Sequence, residues 1–155
     1  VEKMVKVMAT GTFDLLHLGH IYYLKEAKRL GDKLVVVVAT DSTVRKLKHE
    51  PINSETIRLE IIKELKIVDE AYIGHEEDMY TIVSELKPDI IALGFDQYHN
   101  ENTIKNELKK RKINSKIVRL SEFKGGSDLE GTRKIISKII SAYEFQKNME
   151  KIEKK

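Results

Sequence analysis

Two histidines three residues apart, His17 and His20, have Gly19 between them and follow Gly11-Thr12-Phe13-Asp14-Leu15-Leu16 directly after an apolar run, Val5 to Ala9. Gly11 ends that run and permits a close approach of backbone to ligand. His17, Leu18, Gly19 and His20 stand where a helix begins. A helix N-terminus offers free N–H groups and the positive end of its dipole, which favour an anion such as phosphate. Gly19 removes a side chain where phosphate oxygens would crowd, and two imidazoles at this spacing lie on one turn and can both face that anion. Neither G-x-G-x-x-G nor G-x-x-x-x-G-K-[ST] occurs, so the dinucleotide fingerprint and the P-loop are excluded. A zinc site would need third and fourth ligands; without Cys only Asp14 or a distant His could help, and no metal site is expected.

The elements that must position these residues are legible as short apolar runs alternating with segments of helical period. The runs are Val5 to Ala9, Leu34 to Ala39, Ala71 to Ile73, Ile90 to Leu93 and Ile117 to Leu120. Those at Leu34 and Ile90 are continuously apolar, as strands covered on both faces require. Helices are predicted over Leu18 to Leu30 with Gly31 as C-cap, Ser54 to Leu65, Tyr80 to Leu86 before Lys87-Pro88, Thr103 to Arg111, and Thr132 to about Met149. In the second of these, Ile57, Ile61, Ile62 and Leu65 are expected on the buried face. Strand and helix in alternation predict an α/β domain, a Rossmann-like doubly wound parallel five-stranded sheet. The expected division is one domain over 1–145 and a Lys/Glu-rich helical tail over 146–155. In such folds ligands sit beyond the carboxyl ends of the strands, which puts Gly11 to His20, Thr40 to Lys48, Gly74 to Glu77, Gly94 to Tyr98 and Ser121 to Thr132 around the site.

Composition narrows the function classes. The 155 residues are 41% hydrophobic and 34% charged, with 2 Pro and 8 Gly, which fits one folded domain rather than a low-complexity chain. There is no Cys, so disulfides, zinc-thiolate sites and cysteine nucleophiles drop out. Lys plus Arg number 28 against 25 Asp plus Glu, and the signs are interspersed, a solvated surface rather than a nucleic-acid footprint. No run is long enough to span a bilayer and the first residues do not resemble a signal peptide, so a cytoplasmic protein with no membrane partner is expected.

The stretch Gly11-Thr12-Phe13-Asp14-Leu15-Leu16-His17-Leu18-Gly19-His20 resembles the signature of the cytidylyltransferase-like nucleotidyltransferases, whose hallmark is H-x-G-H. The resemblance extends from about Lys6 to Ile140. It implies transfer of a nucleotidyl group from a nucleoside triphosphate to a phosphate-bearing acceptor, with pyrophosphate released. By the resemblance, His17 and His20 contact the triphosphate and stabilise charge in the transition state. Gly11, Thr12, Phe13, Leu18 and Gly19 line the nucleotide site. Lys46 and Lys48 occupy the region where related enzymes place basic residues near the triphosphate, and Lys46 is carried as a third catalytic candidate against a plain reading as a surface lysine. Arg58 and Val68-Asp69-Glu70 also match the family pattern, with Arg58 organising the site rather than touching ligand. Mg2+ would arrive with the nucleotide, bridging phosphate oxygens.

Two later segments select the branch. Gly94-Phe95-Asp96-Gln97 has Gln97 where cytidylyltransferases making CDP-glycerol or CDP-choline usually show Trp, and this stretch is similar to archaeal FAD synthases. Asp96 keeps the acidic residue expected to contact nucleotide. Asp128-Leu129-Glu130-Gly131-Thr132-Arg133-Lys134 lacks the I-S pair of the cytidylyltransferase motif R-T-E-G-I-S-T-T. Thr132 is expected to cap the final helix and hold phosphate, and Phe123 sits where archaeal FAD synthases place an aromatic near the adenine. The resemblance therefore implies ATP and FMN as substrates and FAD as product. Glycerol-3-phosphate cytidylyltransferase is the alternative, and a catalytically inactive nucleotide-binding module is disfavoured because His17, Gly19 and His20 are all intact. Relatives often dimerise through helices at the sheet edge, so a homodimer is compatible with the resemblance. Tyr22, Tyr23, Tyr98 and Phe123 are the aromatic candidates for the flavin.

Overall fold

The computed structural model describes residues 2–47, 49–124 and 131–154. Leu34 and the four valines after it offer apolar side chains to both faces of a strand, so that strand must lie inside a sheet covered on both sides. It forms β2 (Lys33–Val38), flanked by β1 (Lys6–Gly11) and β3 (Glu70–Ile73); β4 (Ile90–Leu93) and β5 (Lys116–Arg119) extend the sheet on the other side of β1. The order is β3-β2-β1-β4-β5 and every pair is parallel. This is the Rossmann-like α/β sheet predicted from the sequence, with its switch of strand order between β1 and β4.

Side chains alternate across each strand, so β1 feeds two cores. Val7 and Ala9 pack with Leu24 and Ala27 of α1 (Leu18–Lys28) and Ile62 of α3 (Glu55–Lys63). Met8 faces the opposite way, toward Ile82 and Val83 of α4 (Met79–Leu86) and Ile104 and Leu108 of α5 (Glu101–Lys110). Thr40, Ser54, Asp78 and Asn100 accept backbone N–H bonds as N-caps of α2 (Asp41–Lys46), α3, α4 and α5, fixing where each helix departs from the carboxyl edge. No described helix is long and apolar enough to cross a membrane.

Several local expectations are corrected. Gly31 is not a left-handed C-cap: α1 ends at Arg29, and Gly31 is needed for space, since a Cβ there would lie 2.7 Å from the Val5 carbonyl oxygen. In α3 the buried positions are Arg58 and Ile62, one turn apart, while Ile57 and Ile61 are exposed. The short helix α2, with Val44 as its one buried side chain, was not predicted. The last helix, α6 (Thr132–Glu153), is continuous across 145/146 and buries none of its residues.

Candidate active site

The loop from β1 to α1 turns through two non-glycine residues with left-handed backbone, Phe13 at φ 53° and Leu15 at φ 48°. Such residues are strained and persist only where surrounding contacts hold them. Here the contacts come from three directions. The Phe13 ring is buried against Gly11, where a Cβ would meet ring carbons at 3.0 Å. The buried Asp14 carboxylate accepts the N–H groups of Ile52 (2.6 Å) and Asn53 (3.0 Å). Thr132 donates its hydroxyl to the Asp14 carbonyl at 2.9 Å. Thr132 is thus the first residue of α6 and a tether to this loop; the N-cap is Gly131, which makes no side-chain capping bond, so the expected capping role is corrected.

Arg58 completes the hold. Its guanidinium, 0% exposed, donates to the carbonyls of Thr12 (2.7 Å), Ala39 (2.8 Å) and Asn53 (3.0 Å) and to the Asp41 carboxylate (2.7 Å). One side chain therefore joins the ends of β1 and β2 to the starts of α2 and α3. A buried cation is tolerated only when paired and hydrogen-bonded, and here a carboxylate and three carbonyls take four of its five N–H groups. Arg58 thus holds the backbone around the histidine loop through its bonds to positions 12, 39, 41 and 53.

The loop delivers His17 to the N-cap of α1, where its Nδ1 accepts the Gly19 N–H at 3.1 Å. That bond places the neutral ring's proton on Nε2, a donor. It also uses one of the N–H groups expected to be free at this helix start. The His20 ring stacks on His17 with centroids 3.8 Å apart and lies 5.5 Å from Phe13. Burial, and then the neighbouring His17, push the His20 imidazole down to about 3, so it is neutral at physiological pH. Its Nδ1 is buried and has no hydrogen-bond partner among the described residues. The stacked rings thus stand at a helix start, a place whose N–H groups and dipole favour an anion such as phosphate.

Across the switch point, Asp96 and the exposed Phe95 and Tyr98 lie on the loop after β4. Arg119, the last residue of β5, gathers this loop. It donates to the carbonyls of Gly94 and Gln97 (both 2.9 Å), to that of His99, and to the Glu101 carboxylate (3.1 Å). Phe123 packs on Tyr22 of α1 at 5.0 Å, and the Tyr22 hydroxyl shares a hydrogen bond with Ser121, so this aromatic pair stands beside the helix that carries the histidines. The Tyr23 hydroxyl is bound to the backbone of β1 and β4. The Leu18 side chain points to solvent. Lys46 ends α2 and donates to the Glu76 carbonyl at 3.2 Å, toward the loop after β3. Lys48 and Asp128 to Glu130 lie outside the described residues. Among the described residues no group of three or more His, Asp or Glu side chains is gathered as a metal cage. Sequence reasoning missed Arg119, the carboxylate bonds of Asp14 and the bridging role of Tyr23; only the burial of polar atoms reveals them.

Residues 8–152 match the family described as cytidylyltransferase-like. The FAD synthase of Aciduliprofundum boonei is 57% identical over 137 residues, 88% of this chain and 91% of the relative. That of Methanobrevibacter ruminantium is 56% identical over 138 residues, 87% of this chain and 91% of the relative. Among solved structures, a Thermoplasma volcanium protein described as a lipopolysaccharide core biosynthesis protein superposes with a TM-score of 0.77 at 56% identity, covering 78% of this chain and 99% of that one. The H-x-G-H loop, the parallel sheet and these likenesses agree, and the chain belongs to the cytidylyltransferase-like family.

Proposed function

We propose that this protein is an FAD synthase, transferring AMP from ATP to the phosphate of FMN with release of pyrophosphate. The observation that carries the reading is the stacked His17–His20 pair at the start of α1, in a chain that is 56–57% identical to FAD synthases over most of its length. A phosphate oxygen of FMN attacks the α-phosphorus of ATP in line; the new P–O bond forms as the bond to the β-phosphate's bridging oxygen breaks. The acceptor phosphate is already ionised near neutral pH, so the protein needs no strong general base. Its contribution is alignment and charge stabilisation.

The Nε2–H of His17 and the ring of His20 donate to the triphosphate, where charge gathers as pyrophosphate leaves. The strained loop and Arg58 hold the imidazoles in place before substrate arrives, so little reorganisation is needed at the moment of reaction. The nucleoside lies in the crevice between β1 and β4, near Gly11, Thr12 and Asp96, with Phe123 beside it. Thr132 meets phosphate from the α6 side. Lys46 exchanges the Glu76 carbonyl for the outer phosphates. The nucleotide enters as its Mg2+ complex, the ion being part of the substrate, and no step is assigned to a resident metal.

Gln97 and the missing I-S pair argue against the CTP-using alternative. The test crosses ATP and CTP with FMN and glycerol 3-phosphate, with Mg2+, and reads products by mass. FAD from ATP plus FMN alone is the expected result; CDP-glycerol would overturn it.

A further inference from the structure

The ladder between β1 and β4 pairs Val7 with Ile90, Met8 with Ile91 and Ala9 with Ala92, and then stops. Had it continued, the next pair would be Thr10 with Leu93, which in a parallel ladder needs the Gly94 N–H to reach the Thr10 carbonyl. That bond does not form, yet both groups are satisfied. The Tyr23 hydroxyl accepts from the Thr10 N–H at 3.1 Å and donates to the Ala92 carbonyl at 2.7 Å. The Gln97 carboxamide accepts from the Gly94 N–H at 3.0 Å through Oε1 and donates to the Thr10 carbonyl through Nε2.

The missing ladder bond has therefore been replaced by the O–C–N of an amide, three atoms long, with the Tyr23 hydroxyl lodged beside it on Thr10 and Ala92. The ladder ends here while neither backbone group is left unpaired. Unpaired backbone groups are costly, so without the spacer the strands would either close or lose stability. Arg119 reinforces the arrangement by binding the carbonyls of Gly94 and Gln97.

We infer that Gln97 is a polar wedge at the switch point, a positioning residue that sets the width of the nucleotide crevice. This rests on the placement of ATP between β1 and β4 given above. Gln97 acts through the backbone of Thr10 and Gly94, next to Gly11, rather than by reacting itself.

The test is calorimetric titration with ATP in the presence of Mg2+ and absence of FMN, on Gln97→Met and Gln97→Glu, with melting temperatures measured alongside. Gln97→Met keeps the length and removes both bonds; a roughly tenfold weaker Kd for ATP is expected, the scale of a lost hydrogen bond with its partners left unpaired. Gln97→Glu supplies an acceptor but no donor while ionised. Once protonated it carries one donor and one acceptor, as the amide does, and its partly buried position raises the pH at which this happens. The ratio of its Kd to that of the wild type should be about ten near pH 8 and approach one as the pH falls to about 5. A ratio near one at every pH for both variants, with only the melting temperature lowered, would overturn the inference. Because the titration contains no FMN, a wild type that binds ATP but makes no FAD would contradict the proposed activity and leave the Kd ratio intact as a test of the wedge.

Discussion

Arg58 and Arg119 gather loops on opposite halves of the sheet's carboxyl edge, each with three backbone carbonyls and one carboxylate, but they do so in different surroundings. The Arg58 side chain is 0% exposed and that of Arg119 is 27% exposed. Under Arg58 lies the β1–α1 loop, with its two left-handed residues and the histidine pair; under Arg119 lies the β4–α5 loop, where Phe95, Asp96 and Tyr98 are open to solvent. A fully buried guanidinium locks the loops it joins, because its removal leaves a cavity and unpaired acceptors that are at least partly buried. A partly exposed one holds its loop while leaving water as a substitute. The half that carries the histidine pair is thus built rigid, and the half that carries Asp96 is held more loosely.

The sharpest way to break this contrast is to remove each arginine in turn. Arg58→Ala should destabilise the protein by about 3–5 kcal/mol, the scale of stripping one partner from a buried ion pair, read from urea unfolding. His20→Ala comes next, lowering kcat by roughly 10²–10³, or about 2.7–4 kcal/mol in the barrier, with far-UV circular dichroism unchanged. Turnover like that of the wild type would remove His20 from the mechanism. Arg119→Ala should cost only about 1–2 kcal/mol, since water can reach the freed carbonyls, and should show itself more in KM for ATP than in melting. Equal losses for the two arginine variants would erase the distinction between the halves.

A dependence on pH is also expected. His20 titrates near 6.5 in the unfolded chain and at about 3 in the folded one. Between those values the unfolded state binds more protons, so stability falls as the pH is lowered from 6.5 toward 3. His20→Asn should lack this component, and identical pH slopes for variant and wild type would contradict it.

The apolar runs announced the five strands because a strand covered on both faces needs little else in its sequence. The H-x-G-H loop was legible because its spacing is dictated by a helix start. Arg58 shows where such legibility ends. On α3 the isoleucines at 57 and 61 looked like the inward face, yet Arg58 takes that place in the turn before Ile62. Nothing local signals it, since its acceptors come from positions 12, 39, 41 and 53. Thr132 misled in the same way: its partner is the Asp14 carbonyl, 118 residues away in sequence. Gly31 and Gln97 follow suit, one answering to the backbone of Val5 and the other to that of Thr10.

The central claim is that AMP passes from ATP to the phosphate of FMN. Its most direct test is to incubate the protein with FMN, Mg2+ and ATP labelled at the α-phosphorus, and to follow the label by chromatography. The account predicts label in FAD, with the β- and γ-phosphates leaving together as pyrophosphate. Label that stays in ATP, or appears in free AMP while FMN is unchanged, would contradict it.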